Sequence, residues 1–246
     1  MNQNSKPVLF MIPFAGGSAY NLQGLAALVK NADTVILECP GRGSRFPEPL
    51  LDDIDAIVND LLAPVLAVAR QGRQFAIYGH SMGTLIGYLI SRKIYAYEHV
   101  YPAHLFVSGS GAPGLAGKRN WHLLPEDEFW KVLSELGGCQ QEILENAELK
   151  TLFGPIVRAD LAAIDSYTYV NEPEMDVEIT VLKGVDDEAE LVKFQHWQRV
   201  TNYPVDLREF EGDHFFIYRH LDAIAEIIDN KLQTVDYVRN TKSFLF

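Results

Sequence analysis

Short runs of apolar residues alternate along the chain with longer segments in which apolar residues recur every three or four positions. The short runs predict β-strands and the longer segments predict amphipathic helices. The predicted strands cover residues 8–12, 34–38, 74–78, 103–107, 177–183 and 205–210. Strands and helices that alternate in this way are typical of an α/β fold, with a mostly parallel sheet covered by helices on both faces.

The same pattern predicts a helix through Leu22, Leu25 and Leu28, and further helices over residues 54–68, 82–95, 188–197 and 218–231. The alternation stops between residues 112 and 173, where three successive helices are predicted over 126–136, 141–152 and 155–167, with glycine and proline between them. We therefore expect one domain over residues 1–246 with a helical lid inserted at about 112–173. The residues after Gln233 show no clear period and are interpreted as a tail.

Composition narrows the function classes. The formal net charge of −12 disfavours nucleic acids and anionic membranes as partners, because a protein that binds either one needs a positively charged surface. No apolar run is long enough to cross a membrane, and the N-terminus has only a short apolar run before a glycine turn. We expect a cytoplasmic protein. Cys39 and Cys139 stand in no CxxC pattern and near no histidine at ligand spacing, so we expect neither a disulfide framework nor a metal site.

The segment Gly79-His80-Ser81-Met82-Gly83 matches the pattern GxSxG, and its neighbourhood is more informative than its five letters. The run QFAIY precedes it as a predicted strand, and MGTLIGYLI follows as a predicted helix. Ser81 is therefore expected on a sharp strand-to-helix turn, the nucleophile elbow of the α/β-hydrolase fold. Glycine is needed on both sides because a side chain there would collide with the neighbouring strand or helix. The alternative is a glycine-rich turn whose serine only caps the helix.

A serine hydroxyl is a weak nucleophile and needs a general base that is oriented by an acid. In this fold the chain order is serine, acid, histidine. The strand VEITVLKG leads into Asp186 and Asp187, and the strand VDLREF leads into a loop that contains His214. These loops and Ser81 follow the carboxyl ends of strands, which meet at one edge of the sheet. We predict Ser81 as nucleophile, His214 as base and Asp187 as acid, with Asp186 as the alternative acid.

Backbone amides supply the remaining group, an oxyanion hole. Ala15 lies in the segment PFAGG after the first predicted strand, where this fold provides one of the two donors. The other donor is the residue after the nucleophile, at a helix N-terminus whose free N–H groups favour negative charge. We therefore predict the amides of Ala15 and Met82 as the oxyanion hole, although the two glycines alone also fit an ordinary turn.

Seven segments occur in order between about residues 7 and 232: PFAGGSA, CPGRGSR, YGHSMGT, LPEDEFWKVLSELGG, RADLAAIDSY, LKGVDDE and FEGDHFF. Together they resemble the type II thioesterases, the stand-alone editing enzymes of nonribosomal peptide and polyketide synthases. GHSMG is shared with many hydrolases, whereas PFAGG, PGRG and the lid segments are more specific. The resemblance implies an acid motif at 184–187, which favours Asp187 over Asp186. Thr84 and Cys139-Gln140-Gln141 depart from the family's usual glycine and proline, so no acyl preference is implied.

The resemblance also implies the activity. Type II thioesterases hydrolyse acyl thioesters from the phosphopantetheine arm of carrier proteins, which frees synthases that are blocked by a wrong acyl group. The expected partners are thus acyl or peptidyl carrier proteins, and no bound cofactor is expected because the pantetheine belongs to the partner. We expect a monomer. Since carrier proteins are acidic, we hypothesise a local cationic docking patch, whose members are Arg42, Arg45, Lys118 and Arg119. The alternative is that these residues are solvated cations of surface loops.

Three other readings remain open at this stage. A carboxylesterase or lipase has the same triad and oxyanion hole but acts on oxygen esters. A non-catalytic member of the fold binds a ligand or a carrier protein, and its usual sign is a lost triad residue, which is not the case here. An acyltransferase uses another nucleophile in place of water at the acyl-enzyme stage.

Overall fold

The chain folds around one parallel β-sheet. The computed structural model describes residues 6–115, 117–137 and 141–242. Six strands in the described part pair in the order β2-β1-β3-β4-β5-β6, and every neighbouring pair is parallel. The strands are β1 (Val8–Ile12), β2 (Asp33–Ile36), β3 (Phe75–His80), β4 (His104–Ser108), β5 (Glu178–Gly184) and β6 (Asp206–Phe210). The predicted parallel sheet is confirmed, and the predicted strand ends lie within two residues of those observed.

Helices cover both faces of the sheet. On one face, α2 (Ile54–Arg70) and α3 (Met82–Glu98) share an apolar core with alternate residues of the strands. On the other face, α1 (Tyr20–Leu28) and α8 (Leu221–Lys242) do the same. The central strands are buried on both sides, which explains their continuous apolar sequence. No helix in the described ranges is long and apolar enough to span a membrane.

Three helices lie between β4 and β5, within the segment predicted as an inserted lid. They are α4 (Glu126–Glu135), α5 (Gln141–Glu145) and α6 (Ala147–Ser166). The predicted break at Gly154-Pro155 is wrong, because α6 runs through Pro155 and the interruption falls at Asn146. The Asn146 side chain caps α6 by accepting hydrogen bonds from the amides of Glu148 and Leu149.

Tertiary contacts explain why α6 tolerates an internal proline. A proline there removes one backbone hydrogen bond at a typical cost of about 3 kcal/mol. Gly154 packs under the Trp130 ring, whose nearest atom would lie 3.3 Å from an added Cβ, and Ile156 is buried beside it. These contacts hold the helix on both sides of Pro155 and override the local preference of the sequence.

The polar residues of α6 tie the helix to the rest of the molecule. Arg158 donates to the carbonyl oxygens of His122 and Leu124, at 2.7 and 2.9 Å. Asp165 accepts from the amides of Arg119 and Asn120, at 3.0 and 2.8 Å. The next residue, Ser166, ends α6, and its hydroxyl accepts from the first amide of α2 at 3.0 Å. The segment RADLAAIDSY therefore anchors α6 to the neighbouring loop and to α2.

Two further helix predictions need correction. The helix predicted over 188–197 is shorter, because α7 covers only Leu191–Gln195 and a 3-10 turn follows at His196–Arg199. The segment after Gln233, which was expected to be a tail, continues α8 to Lys242. An absent apolar period does not end a helix, since each further residue adds one backbone hydrogen bond to an existing nucleus.

Candidate active site

Ser81 occupies a strained turn between β3 and α3. Its backbone has φ 54° and ψ −115°, and its amide donates to the carbonyl oxygen of Ser108 at 2.7 Å. A Cβ atom on Gly79 would lie 2.2 Å from the Gly83 carbonyl oxygen, and one on Gly83 would lie 2.1 Å from that of Ile12. The three backbones pass so closely that only glycine fits at these two positions. The strained conformation of a non-glycine residue here is typical of a functional site.

Thr84, which stands where the resembling family usually has glycine, fits the turn through its hydroxyl group. The Thr84 hydroxyl lies 2.8 Å from the carbonyl oxygen of Gly79 and 3.1 Å from that of Ser108. It also accepts from the Ser108 amide at 3.2 Å. The side chain is buried and its hydroxyl is hydrogen-bonded, so it fastens the elbow to β4.

The structure brings His214 and Asp187 together. His214 Nδ1 lies 2.8 Å from Asp187 Oδ2, and Asp187 Oδ1 accepts from the Ala189 amide at 2.9 Å. Asp186 is exposed, and among the described residues its hydrogen bonding is limited to the backbone amide, which donates to the Gly212 carbonyl oxygen at 3.0 Å. The carboxylate that faces the histidine is therefore that of Asp187.

The protonation of this pair follows from the surroundings of Asp187. Burial alone raises the pKa of a carboxyl group, but the hydrogen bond and charge of His214 and the Ala189 amide outweigh it and lower the pKa of Asp187. An ionised Asp187 can only accept a hydrogen bond, so Nδ1 of His214 carries the proton. This leaves the lone pair on Nε2 of His214, on the far side of the ring.

Ser81, His214 and Asp187 line one cavity of about 1760 Å³, together with Ala15 and Met82. All five follow the carboxyl ends of strands, where ligands of open parallel sheets bind. The structure thus places every residue that was predicted for the site around a single space. The roles of these residues in catalysis stay predictions at this point.

The two residues predicted as oxyanion donors, Ala15 and Met82, both line this space. Met82 is the first residue of α3, where the helix leaves amides without an internal acceptor. Ala15 lies in a turn that is closed by a hydrogen bond from the Gly17 amide to the Phe14 carbonyl oxygen, at 2.9 Å. The neighbouring Gly16 amide donates to a carboxylate oxygen of Asp160 on α6, at 2.6 Å.

His80, the second histidine at the elbow, differs from His214 in its environment. It is completely buried, and its Nδ1 lies 2.9 Å from the Ser108 hydroxyl. Burial is the main cause that lowers its pKa well below the ordinary value, and the nearby His214 adds to the effect. His80 is therefore neutral at pH 7. Its ring centroid lies 5.3 Å from that of His214, so the two rings pack against each other.

The helices of the inserted segment give the cavity an apolar wall. Side chains of α4 and α6 dominate it, among them Trp130, Leu133, Phe153, Ile156 and Leu161. The volume exceeds the 300–1,000 Å³ that is typical of pockets for small ligands. The space is therefore large enough for an apolar acyl group together with part of an extended polar group to which it is attached.

The predicted cationic docking patch is only partly available at the surface. Arg42 is wrong as a docking residue, because it is 4% exposed and both of its terminal nitrogens bind the carboxylate of Asp160. Arg45 is half-buried and is already paired with Glu48 and Asp60. The pair of Arg42 with Asp160 compensates a guanidinium charge that burial has removed from water.

Lys118 and Arg119 are the two patch residues that remain exposed, and both border the cavity. The Arg119 guanidinium carbon lies 4.4 Å from the centre of the Trp121 ring, a cation–π contact that orients the side chain. Within the part of the chain that the structure describes, neither residue forms an ion pair, and both charges lie at the edge of the site.

The described ranges include one of the two cysteines of the chain, Cys39. Cys39 is buried, and burial raises the pKa of its thiol to about 12, so the nucleophilic thiolate is scarce. Cys139 and Gln140, two of the three residues that depart from the family pattern, lie outside the described residues. The third, Gln141, is the first residue of α5. Within residues 6–115, 117–137 and 141–242, no three His, Cys, Asp or Glu side chains group closely enough to hold a metal ion.

One pair of residues at the site was missed in the sequence. Asp160 contacts the turn that holds Ala15, and it does so beside Arg42, which is 118 positions away in the chain. The signal was present, because both residues lie in segments that carry the family resemblance, PGRG and RADL. The segments alone gave no indication that their charges meet inside the protein.

Comparison with known proteins shows the family of the chain. A family model described as "Thioesterase domain" matches residues 7–232. The gramicidin S biosynthesis protein GrsT of Aneurinibacillus migulanus is 32% identical, over 96% of this chain and 92% of that protein. The solved structure of ClbQ from the colibactin NRPS/PKS pathway superposes with a TM-score of 0.88 at 26% identity, covering 95% of this chain and 100% of that one. BorB, a type II thioesterase from the borrelidin biosynthetic cluster, gives 0.81 at 32% identity, covering 94% and 96%.

Replacing Asp187 by asparagine tests the assignment of the acid. The amide group can donate to Nδ1, so the other tautomer of His214 forms and Nε2 can no longer accept a proton. We expect kcat for a small acyl thioester to fall about 10⁴-fold in Asp187→Asn, and to stay within about twofold in the matched variant Asp186→Asn. Comparable losses in the two variants would contradict the assignment.

Proposed function

Because the chain belongs to the thioesterase family, we propose that it is a type II thioesterase that hydrolyses acyl thioesters on the phosphopantetheine arms of carrier proteins in nonribosomal peptide or polyketide synthesis. The observation that carries the proposal is the hydrogen-bonded pair of His214 and Asp187 beside Ser81 in one cavity. The names of the relatives, which include a gramicidin S biosynthesis protein and a type II thioesterase of a borrelidin cluster, support the substrate class.

In the proposed acylation step, Ser81 Oγ attacks the thioester carbonyl carbon while Nε2 of His214 takes the hydroxyl proton. Asp187 holds the ring through Nδ1 and stabilises the imidazolium that forms. The negative charge that develops on the carbonyl oxygen is stabilised by the amides of Ala15 and Met82. One such donor is typically worth about 3–4 kcal/mol of transition-state stabilisation.

The tetrahedral intermediate then collapses and the carbon–sulfur bond breaks. His214 returns the proton to the leaving sulfur, which departs as the free thiol of the pantetheine arm. Water next attacks the acyl-Ser81 ester, and Nε2 of His214 removes one of its protons. A second collapse regenerates the Ser81 hydroxyl and releases the carboxylic acid. These steps use side chains, backbone amides and water, so the proposal includes no resident metal or cofactor.

The walls of the cavity fit a substrate of two parts. The apolar side chains of α4 and α6 provide the surface against which an acyl chain is buried. The exposed Lys118 and Arg119 at the border of the cavity suit the acidic surface of a carrier protein. All groups of the proposed mechanism come from one chain, and we propose that a monomer is sufficient for activity.

Acyl release from carrier proteins tests the function. A panel of acyl-phosphopantetheinyl carrier proteins is incubated with the wild-type protein and with Ser81→Ala, and the intact mass of each carrier is followed in time. We expect the wild-type protein to remove acyl groups, and Ser81→Ala to be slower by a factor of about 10⁴ or more because the nucleophile is absent.

The same assay separates the other activities. A matching oxygen ester that is cleaved while acyl carriers are left intact would move the assignment to a carboxylesterase. Acyl products with added amine or alcohol acceptors, in place of the free acid, would indicate an acyltransferase. Equal rates for Ser81→Ala and the wild-type protein would contradict the proposed nucleophile.

A second test concerns docking. Alanine at both Lys118 and Arg119 should raise KM for an acyl carrier protein by a factor of about 3–10, because rim charges mainly assist the encounter of charged partners. KM for acyl-pantetheine should stay unchanged. The effect should shrink at about 0.5 M salt, where charges more than a few ångströms apart are screened.

The control for this test removes the same charge elsewhere. Arg70 and Arg208 are exposed by 61% and 55% of their side chains and do not border the cavity. Alanine at both should leave KM for the acyl carrier unchanged. If the control double variant raised KM as much as the Lys118 and Arg119 variant, net charge rather than a docking patch would explain the result.

A further inference from the structure

Three separate segments meet at the buried carboxylate of Asp160. This residue is completely inaccessible to solvent and belongs to α6. Its Oδ1 accepts from Arg42 Nη2 at 2.7 Å, and its Oδ2 accepts from Arg42 Nη1 and from the Gly16 amide, the latter at 2.6 Å. Arg42 belongs to the loop after β2, and Gly16 belongs to the turn after β1. The carboxylate therefore joins the inserted helices to two loops of the sheet.

The contact with Gly16 determines the setting of the neighbouring amide. Gly16 has φ +76°, and the turn is closed by the hydrogen bond between Gly17 and Phe14. Because the peptide planes on the two sides of Ala15 share its Cα atom, fixing the Gly16 N–H restricts the direction of the Ala15 N–H. The Ala15 amide is the proposed oxyanion donor, which must lie about 3 Å from the developing charge to be effective.

Helix α6 also packs directly against this turn. A Cβ atom on Gly16 would lie 2.6 Å from Cγ2 of Val157, three residues before Asp160. Beyond the turn, the Ala19 amide donates to Glu38 Oε1 at 2.9 Å. The turn is thus held at its centre by α6 and at its exit by the loop after β2, and little freedom is left to the residues between.

Stability alone gives a weak reason for this arrangement. Desolvation of a buried ion pair offsets much of its attraction, and apolar side chains of similar volume often stabilise a fold equally well. An apolar pair, however, has no acceptor for the Gly16 amide. The feature that only the carboxylate provides is a charge-assisted hydrogen bond that fixes the oxyanion turn.

We propose that Asp160, held in place by Arg42, is a positioning residue that sets the Ala15 amide for oxyanion binding and so makes catalysis depend on the seating of α6. This inference rests on the proposed function. Asp160 contacts no substrate in this account and acts only through the turn. The transition state is affected, whereas binding of the ground-state substrate along the apolar wall is not.

The test replaces the ion pair by an apolar pair, Arg42→Met with Asp160→Leu, and measures hydrolysis of a small acyl-pantetheine thioester. We expect the double variant to remain folded, with a thermal midpoint within about 4 °C of the wild-type protein. We expect kcat to fall about 10- to 100-fold, which is less than the loss of a whole oxyanion donor, while KM changes less than about threefold.

Two inhibitors separate positioning from general damage. A trifluoromethyl ketone analogue of the acyl group forms a tetrahedral oxyanion with Ser81, whereas a thioether analogue binds only as the ground state. The double variant should lose affinity for the ketone by the same factor as kcat/KM and should keep its affinity for the thioether. Equal losses for the two inhibitors, or a folded double variant with wild-type kcat, would overturn the proposal.

A matched control replaces a neighbouring ion pair, in which Arg45 of the same loop binds Asp60 of α2, by Arg45→Met with Asp60→Leu. Among the described residues, neither member of this pair lines the cavity or is hydrogen-bonded to Gly16. Its kcat should stay within about twofold of wild type, since only the fold is touched. A loss of kcat as large as that in the Arg42 and Asp160 variant would show that any damage to this loop suffices, and would overturn the proposal.

A milder variant guards against a failure to fold. Asp160→Asn keeps the volume and one carbonyl oxygen that can still accept from Gly16, but it removes the charge and puts an amide NH2 group, which cannot accept, in place of one of the two oxygens that bind Arg42. We expect a smaller fall in kcat, up to about tenfold, again with the ketone affected and the thioether not. If Ser81→Ala is inactive while all these variants behave as wild type, the positioning role fails and the proposed function stands. If Ser81→Ala keeps its activity, the proposed function itself fails.

Discussion

The close crossing of β1, β3 and α3 is the constraint on which the site depends. Gly79 and Gly83 allow backbone atoms to approach where any side chain would collide with a carbonyl group. The crossing forces Ser81 into a backbone conformation with φ 54° at the start of α3, and Ser81 and Met82 both line the cavity. The proposed nucleophile and one proposed oxyanion donor thus depend on the same packing requirement.

The inserted helices contribute to the site in two ways. Their polar side chains bind neighbouring loops, and their apolar side chains line the cavity. Along α6, Arg158 and Asp165 fasten the loop that carries His122 and Arg119, whereas Asp160 reaches the turn after β1. Apolar side chains of the same segment line the cavity. A helix that lines the cavity is therefore also joined to the turn that holds Ala15, so in the proposed function substrate binding and the chemical step share one element.

Local sequence patterns were sufficient wherever the structure depends on local properties. The bounds of β1 were predicted correctly because five apolar residues stand between Pro7 and Pro13, which cannot donate to a sheet. The elbow was recognisable because its glycines, strand and helix are adjacent in the chain. Asp187 and His214 followed from the rule that loops after parallel strands converge, and the structure places them in contact.

Long-range contacts explain what the sequence did not reveal. The break predicted at Pro155 is absent because packing against Trp130 outweighs a local preference. Arg42 was assigned to a docking surface because a charged loop residue is usually exposed, yet its partner Asp160 lies 118 positions away in a predicted helix. A single sequence does not specify which two charges will be buried together.

The central claim, that Ser81 performs the attack on a carrier-bound thioester, is tested most directly by titration with a fluorophosphonate. Peptide mass spectrometry gives the modified fraction of Ser81, and acyl release from a carrier protein is assayed on the same samples. The account predicts one phosphonyl group per inactivated chain, attached to Ser81, with residual activity falling in proportion to the modified fraction. Full modification of Ser81 with acyl release retained would contradict it.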